Sequence, residues 1–175
     1  MEARRLALQL TFVSRNVTLF TGVDWYWITT GIMTAVKPGV VTLEENWRFT
    51  PLVTASAVVS QANQGALPQV FVFRSLLTRN LTASAVVAAL EQQPFVVGMY
   101  LIVSTAGDGV VITRSSMGYN SSRLSAATTP YLVQTNYDRW MPDPSSDPRR
   151  TFVSSESRGW NSKMSGAKLE QHGTL

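Results

Sequence analysis

The spacing of apolar residues changes twice along this chain, and that order constrains the fold more than any other sequence feature. Apolar and polar residues alternate from Leu6 to Phe20, which is the pattern of half-buried strands. From Val70 to Leu90, apolar residues recur at helical spacing instead. After Pro94 the chain is again rich in β-branched and aromatic residues. The order strands, helices, strands predicts an α+β domain with an antiparallel sheet and helices on one face.

Turn residues divide the first β-rich stretch into shorter strands. Ser14 to Asn16 separates the two strands of a predicted hairpin. The apolar stretch from Val23 to Val36 ends at Lys37-Pro38-Gly39, and Val40 to Leu43 continues it. Because Pro-Gly pairs are turn formers, two strands are expected around this turn. Thr50 to Pro68 has no clear periodicity and is expected to form a loop or irregular insertion.

A helix pair and three later strands complete the prediction. The first helix spans Val70 to Asn80, and Thr82 or Ser84 is expected to cap a second helix that runs through Leu90. Gly107-Asp108-Gly109 predicts a tight turn. The later strands are predicted at Phe95 to Ser104, Gly109 to Thr113 and Tyr131 to Thr135.

Length and composition predict one folded domain over residues 1–152, followed by a disordered or unrelated tail over residues 153–175. The 175 residues are 45% hydrophobic and 15% charged, which suits a globular β-rich chain. The Ser, Gly, Lys and Glu residues from Val153 onward favour disorder. The net charge of +4 is scattered, so no nucleic-acid partner is expected. No apolar run reaches the roughly 18 residues of a transmembrane segment.

The residue types present exclude several kinds of active site. The chain has no cysteine, which removes disulfides, thiolate metal sites and a cysteine nucleophile from these residues. His172 is the one histidine, and it lies in the predicted tail, so neither a metal site nor a serine triad is expected. Phosphate-binding and dinucleotide glycine motifs are absent. No cofactor is predicted.

Three sequons for N-linked glycosylation bear on the compartment. They begin at Asn16, Asn80 and Asn120, and each is equally a plain polar turn. Three in one chain favour a secreted or lysosomal origin. The N-terminal stretch lacks a full apolar core and a cleavage site, so it is not interpreted as a signal peptide.

Polar residues after the last predicted strand are the candidate catalytic groups. Asn136 is expected where the strand Tyr131 to Thr135 meets a loop, and its amide could donate a hydrogen bond to an oxyanion. Arg149 could orient a carbonyl through its planar guanidinium, held by Asp147. From the residues alone, a turn cap at Asn136 and a solvated arginine pair are the favoured interpretations.

A family resemblance changes that weighting. The run QTNYDRW, residues 134–140, is followed by Asp147-Pro148-Arg149-Arg150 at the spacing of acid ceramidases and related N-acylethanolamine acid amidases. Further similar segments occur in the family's order: Gly31 to Gly39, Leu43 to Arg48, Leu76 to Thr82 and Asp108 to Arg114. The similarity spans Leu8 to Thr151.

The resemblance implies an N-terminal-nucleophile hydrolase with an αββα sandwich, of which this chain would form part. In such enzymes a cysteine thiolate attacks the lipid amide and its own amine serves as base. By resemblance, Asn136 matches the oxyanion-stabilising asparagine and Arg149 the arginine near the scissile bond. Asp147, Arg150 and Asn46 are supporting candidates. The implied reaction of the complete enzyme is hydrolysis of ceramide to sphingosine and fatty acid, with N-acylethanolamines as alternative substrates.

Departures from the family pattern qualify the expected activity. Trp47 occupies the position of the family's strand-end glutamate, and the segment carrying the nucleophile has no counterpart here. The chain is therefore expected to be an incomplete copy, from a truncated gene model or a degenerate gene, and to be inactive alone. The alternative expectation is a non-catalytic remnant that binds lipid, or that pairs with a second subunit carrying the nucleophile.

Overall fold

A computed structural model describes residues 7–25, 32–48, 54–116, 118–125, 129, 131–136 and 138. Seven strands form one sheet in the order β1-β2-β3-β4-β5-β6-β7, and all neighbouring strands are antiparallel. The strands are β1 (Ala7–Ser14), β2 (Val17–Trp25), β3 (Thr34–Lys37), β4 (Val41–Trp47), β5 (Met99–Ser104), β6 (Gly109–Arg114) and β7 (Tyr119–Arg123). The helices are α1 (Ala55–Asn63), α2 (Gln69–Thr78) and α3 (Ala83–Gln92).

The predicted N-terminal hairpin is confirmed by β1 and β2. Its two-residue turn places Arg15 at φ 49° and Asn16 at φ 63°. Positive φ at both central residues is the mark of a type I′ turn, which matches the twist of the strands that it joins. Asparagine tolerates this conformation better than most residues.

The predicted turn at Lys37-Pro38-Gly39 is also confirmed. The Val40 amide donates a 3.0 Å hydrogen bond to the Lys37 carbonyl, and Gly39 has φ +70°. A glycine accepts this left-handed conformation without steric cost. The predicted strand over Val23 to Val36 is two strands instead, because β2 ends at Trp25 and β3 begins at Thr34. Residues 26–31 lie outside the described residues.

The helix pair is confirmed, but the loop predicted over Thr50 to Pro68 is wrong. Helix α1 fills much of that range. Its N-cap is Thr54, whose hydroxyl accepts a 3.2 Å hydrogen bond from the Ala57 amide. None of the residues of α1 is buried, so its sequence has no apolar face from which a helix could be predicted. Thr82 caps α3 in the same way, as predicted.

The later strands are partly as predicted. Strands β5 and β6 are confirmed, and the turn between them closes through Thr105 and Asp108. The strand predicted at Tyr131 to Thr135 is wrong, because these residues have no regular secondary structure. The third later strand is β7, which pairs with β6 from Tyr119 to Arg123. Its sequence is mostly polar, since it lies at the edge of the sheet with little of it buried.

Helices α2 and α3 share one apolar core with the sheet. Alternate residues of the central strands enter it, and so do the apolar residues of α2 and α3. On the sheet side these residues are Phe20, Ala35, Val41, Leu43, Met99, Leu101, Val103, Val110 and Ile112. We call this side the helical face. The intervening residues, including Asn46, Tyr100 and Thr113, lie on the opposite side, which we call the second face.

Two basic residues of the sheet cap the C-terminal ends of the helices that lie above them. Lys37 Nζ donates to the Leu77 carbonyl over 2.9 Å and also to the Arg79 carbonyl, at the end of α2. Arg114 donates to the carbonyls of Glu91 and Gln93, at the end of α3. Because the last carbonyls of a helix lack partners within it, both contacts tie helix to sheet.

The predicted α+β class with an antiparallel sheet is confirmed. The chain divides into two compact units, residues 1–136 and 137–175, and the sheet and helices belong to the first. The second consists almost entirely of residues outside the described ones, so the predicted domain over residues 1–152 and its tail stay a prediction. Among the helices that the structure describes, none is long and apolar enough to cross a bilayer.

Candidate functional site

Asn136 and Asn46, which are 90 positions apart, meet at the end of β4. Asn136 Nδ2 donates a 2.7 Å hydrogen bond to Asn46 Oδ1 and another of 2.7 Å to the main-chain carbonyl of Trp47. Asn46 is the penultimate residue of β4, on the second face. The structure therefore brings together two residues that the sequence nominated separately, although Asn136 does not end a strand.

These two contacts fix the orientation of the Asn136 amide. A carbonyl oxygen accepts hydrogen bonds and never donates them, so the atom that faces the Trp47 carbonyl must be nitrogen. An amide nitrogen carries two hydrogens, and each has an acceptor here. The donor capacity of the side chain is used in full, and its Oδ1 remains as an acceptor.

A row of side chains extends from Asn46 across the second face. The strand register places Asn46 opposite Tyr100, Tyr100 opposite Thr113, and Thr113 opposite Asn120. Tyr100 is fully buried and Thr113 is 4% exposed. Within the described residues, Thr113 Oγ1 has no hydrogen-bond partner. A buried hydroxyl without a partner is costly, and this one lies two strands from Asn46.

A carboxylate precedes Asn46 on β4, and a guanidinium follows just after the end of the strand. Burial raises the pKa of Glu45, and the neighbouring Glu44 charge adds to the rise. Glu45 lies on the helical face, since it alternates with Asn46. Arg48 directly follows β4, and its Nη1 donates a 3.0 Å hydrogen bond to the Arg114 main-chain carbonyl. The end of β4 thus carries two charged groups: the Glu45 carboxyl, whose burial favours its neutral form, and the Arg48 guanidinium, which is held by a hydrogen bond.

The remaining predicted site residues divide into two groups. Arg149, Asp147 and Arg150 lie outside the described residues, so their roles stay predictions. The three sequon asparagines, Asn16, Asn80 and Asn120, are all exposed. They occupy the β1–β2 turn, the α2–α3 connection and the edge strand β7. In the part of the chain that the structure describes, no group of three metal-ligating side chains comes together.

Sequence reasoning missed the Trp47 carbonyl as part of this site. Trp47 was singled out for its side chain, which is 48% exposed, and the contact uses its backbone instead. A main-chain carbonyl is present at every residue, so no residue type could have indicated it. Only the path of the chain brings Asn136 to it.

No family model matches the chain, but individual proteins are similar to it. An N-acylethanolamine-hydrolyzing acid amidase of Cavia porcellus is 28% identical over 159 residues, which cover 85% of this chain and 42% of that protein. An acid ceramidase of Balaenoptera acutorostrata scammoni is 28% identical over 158 residues, covering 86% and 39% of the two chains. The chain spans about two fifths of the length of these curated relatives.

A solved structure shares the fold. The Caenorhabditis elegans ortholog of N-acylethanolamine-hydrolyzing acid amidase superposes with a TM-score of 0.66 at 24% identity. The match covers 85% of this chain and 64% of that structure. Together, these similarities confirm the resemblance to the acid ceramidase and N-acylethanolamine acid amidase family that the sequence indicated. The sheet of seven strands with its three helices is the shared α+β architecture.

Proposed function

We propose that this chain, a relative of the acid ceramidases and N-acylethanolamine acid amidases, is the part of a lipid amidase that carries the oxyanion side of the active site. The supporting observation is the contact between Asn136 and Asn46, at the end of β4. Both residues fall in segments on which the family resemblance rests. The substrate class is a fatty acyl amide, with ceramide first and N-acylethanolamines as the alternative.

The chemistry assigned to these residues is electrostatic. When a thiolate attacks an amide carbonyl, negative charge develops on the oxygen, and a fixed N–H donor stabilises it by about 3 kcal/mol. Asn136 would be that donor, and Arg149 would orient the carbonyl. Since the 175 residues contain no cysteine, the thiolate must come from outside them, in the same or another polypeptide. The 175-residue chain alone is therefore expected to be inactive.

The compartment proposed is lysosomal or secretory. All three sequon asparagines are exposed, as an oligosaccharide attachment site must be. Expression of the chain behind a secretion signal in glycosylating cells, followed by glycosidase treatment and peptide mass spectrometry, would report occupancy at each site. Occupancy at none of the three would remove this support.

The function is tested by complementation. The purified chain is assayed on ceramide and on an N-acylethanolamine, first alone and then with a polypeptide bearing the family's N-terminal cysteine. Activity is expected only in the mixture, and Asn136→Ala should lower it about 100-fold, as loss of an oxyanion donor does. Asn80→Ala, at an exposed position remote in sequence, is the matched control. Hydrolysis by the chain alone would contradict the proposal.

The second candidate is a non-catalytic subunit that binds lipid or a partner. The buried hydroxyl of Thr113 on the second face favours it, because a bound molecule could satisfy this group. Stable co-purification with the cysteine-bearing polypeptide, without hydrolysis of either substrate, would favour this candidate over the first. The ratio of ceramide to N-acylethanolamine turnover in an active mixture would decide the substrate.

A further inference from the structure

We propose that Asn46 is a positioning residue that keeps Asn136 from acting as an oxyanion donor until the contact between them is released. We call the two hydrogen bonds from Asn136 Nδ2, to Asn46 Oδ1 and to the Trp47 carbonyl, the Asn136 latch. The proposal rests on the proposed function only for the role of Asn136 as a donor. The latch itself follows from the contacts.

The first step of the argument is the hydrogen-bond count. An oxyanion hole needs an N–H group that is directed at the substrate and not already bound elsewhere. The two Nδ2 hydrogens of Asn136 both have acceptors on β4 at 2.7 Å. The polar atom of the latched amide that remains available is Oδ1, an acceptor that would repel an oxyanion. Latched Asn136 therefore cannot be the donor that the family resemblance assigns.

The second step identifies which of the two bonds can open. The Trp47 carbonyl belongs to the backbone of β4, and this strand is paired along its length with β5, so the carbonyl cannot turn away without breaking the sheet. The Asn46 amide is a side chain and can rotate about its own bonds. Release of the Asn46 bond would free one N–H and leave the other holding Asn136 in place.

The third step concerns the segment that the latch holds. Residues 131–136 have no regular secondary structure, so no strand ladder fixes their position among the described residues. The Asn136 side chain reaches a strand that ended almost 90 residues earlier in the sequence. The latch is thus one contact between this segment and β4, and it determines which atoms of the Asn136 amide are available. Asn46 controls one of the two hydrogen bonds.

The experiment follows the side-chain amide protons of Asn136 by nuclear magnetic resonance in the 175-residue chain. In the wild type, both protons should exchange with solvent about tenfold more slowly than those of exposed Asn80, the loss expected for about 1.4 kcal/mol of hydrogen bonding. Asn46→Leu removes the acceptor and should speed exchange of one proton. Asn46→Asp keeps an acceptor oxygen of the same size and should restore protection.

A second measurement tests whether release creates a donor. Dodecanoate, below its micelle concentration, supplies a carboxylate as the oxyanion probe. The Asn136 amide resonances should shift on titration in Asn46→Leu and stay fixed in the wild type and in Asn46→Asp. The backbone spectrum of each variant reports whether it is folded.

Three results would each overturn the proposal. They are unprotected Asn136 protons in the wild type, equal protection in the Leu and Asp variants, and a dodecanoate shift in the wild type as large as in Asn46→Leu. None of them depends on catalysis. If the latch is found but the complemented assembly hydrolyses no lipid amide, the proposed function fails and the latch stands.

Discussion

Arg114 on β6 donates a 2.6 Å hydrogen bond to the main-chain carbonyl of Glu91, at the end of α3. A second bond of 2.7 Å reaches the Gln93 carbonyl. The guanidinium carbon also lies over the rings of Phe95 and Tyr119, 5.4 and 5.6 Å from their centroids. The side chain is 3% exposed, and its burial lowers the pKa of Arg114. A buried guanidinium from β6 thus caps the C-terminal end of α3.

Arg114→Met should destabilise the chain by about 2–4 kcal/mol, because two charge-assisted hydrogen bonds are lost and two helix-end carbonyls are left without them. Arg114→Lys should cost less but not be neutral, since one ammonium cannot reproduce the two-pronged geometry of a guanidinium. Urea unfolding measures both. The matched control is Arg123→Met, whose side chain is 49% exposed and should cost under about 1 kcal/mol. Equal losses for Arg114→Met and Arg123→Met would contradict this account.

Loss of the Thr82 cap should lower the stability of the whole fold, whereas loss of the Thr54 cap should affect only helix α1. Thr54→Ala and Thr82→Ala each remove one bond to a helix amide and cost about 1 kcal/mol locally. Helix α1 buries no residue, whereas α3 buries Val86, Val87 and Leu90. Thr82→Ala should therefore lower Tm by about 2–4 °C. Thr54→Ala should leave Tm unchanged and speed amide exchange over residues 55–63, as hydrogen-exchange mass spectrometry would show.

Glu45 should make stability depend on pH in a defined direction. Its pKa in the folded chain is raised above the reference value of 4.5, so the native state binds its proton more tightly than the unfolded state does. The contribution of Glu45 to stability is then fully present below pH 4.5 and is lost as pH rises through the raised folded pKa. Glu45→Gln should stabilise the chain at pH 7, with the gain vanishing in acid.

The control for Glu45 is its neighbour. Glu44 is exposed, and its charge contributes to the raised pKa of Glu45. Glu44→Gln should narrow the pH range over which stability changes without abolishing it, since burial is the larger cause. Tm of both variants would be measured from pH 4 to pH 8. If the Tm of Glu45→Gln varied with pH in parallel with the wild type, burial of Glu45 would not be the cause of the pH dependence.

Gly109 and Leu124 should be coupled in a double-mutant cycle. A Cβ built on Gly109 would lie 2.6 Å from Leu124 Cδ1, closer than atoms of this kind approach. Because Leu124 is 38% exposed and its side chain can move aside, Gly109→Ala should destabilise the chain by only about 0.5–1.5 kcal/mol. In a Leu124→Ala background the same change should be neutral or slightly favourable, because alanine suits a strand better than glycine. Additive effects in urea unfolding would show that the contact carries no strain.

The elements that the sequence predicted correctly are those with a local signal. The β1–β2 hairpin has alternation and a turn, and Thr82 marks the start of α3. Helix α1 has no buried face, so periodicity could not reveal it. Tyr131 to Thr135 has strand-like residues but pairs with no strand of the described sheet, whereas β7 pairs despite its polar sequence. Tertiary context decided both cases.

For the candidate site, too, the sequence predicted the residues but not their contacts. Asn136 and Asn46 were identified by similarity of sequence segments, which records residue types in order. Their contact, the use of the Trp47 carbonyl and the saturation of the Asn136 donors depend on how distant parts of the chain meet. No local pattern encodes that meeting. The family resemblance predicted roles for these residues, and the geometry shows that both amide hydrogens of Asn136 have acceptors on β4.

The sequential strand order has a consequence for how the chain folds. Every strand pairs with its neighbour in sequence, so most contacts in the sheet join nearby residues and form early. The β4–β5 pairing is the exception, because Trp47 faces Met99 across the whole helical segment. Two small meanders can form independently, and closing the long loop between them carries the largest entropic cost. We expect that closure to limit the folding rate, with the helices supplying the apolar surface that makes it favourable.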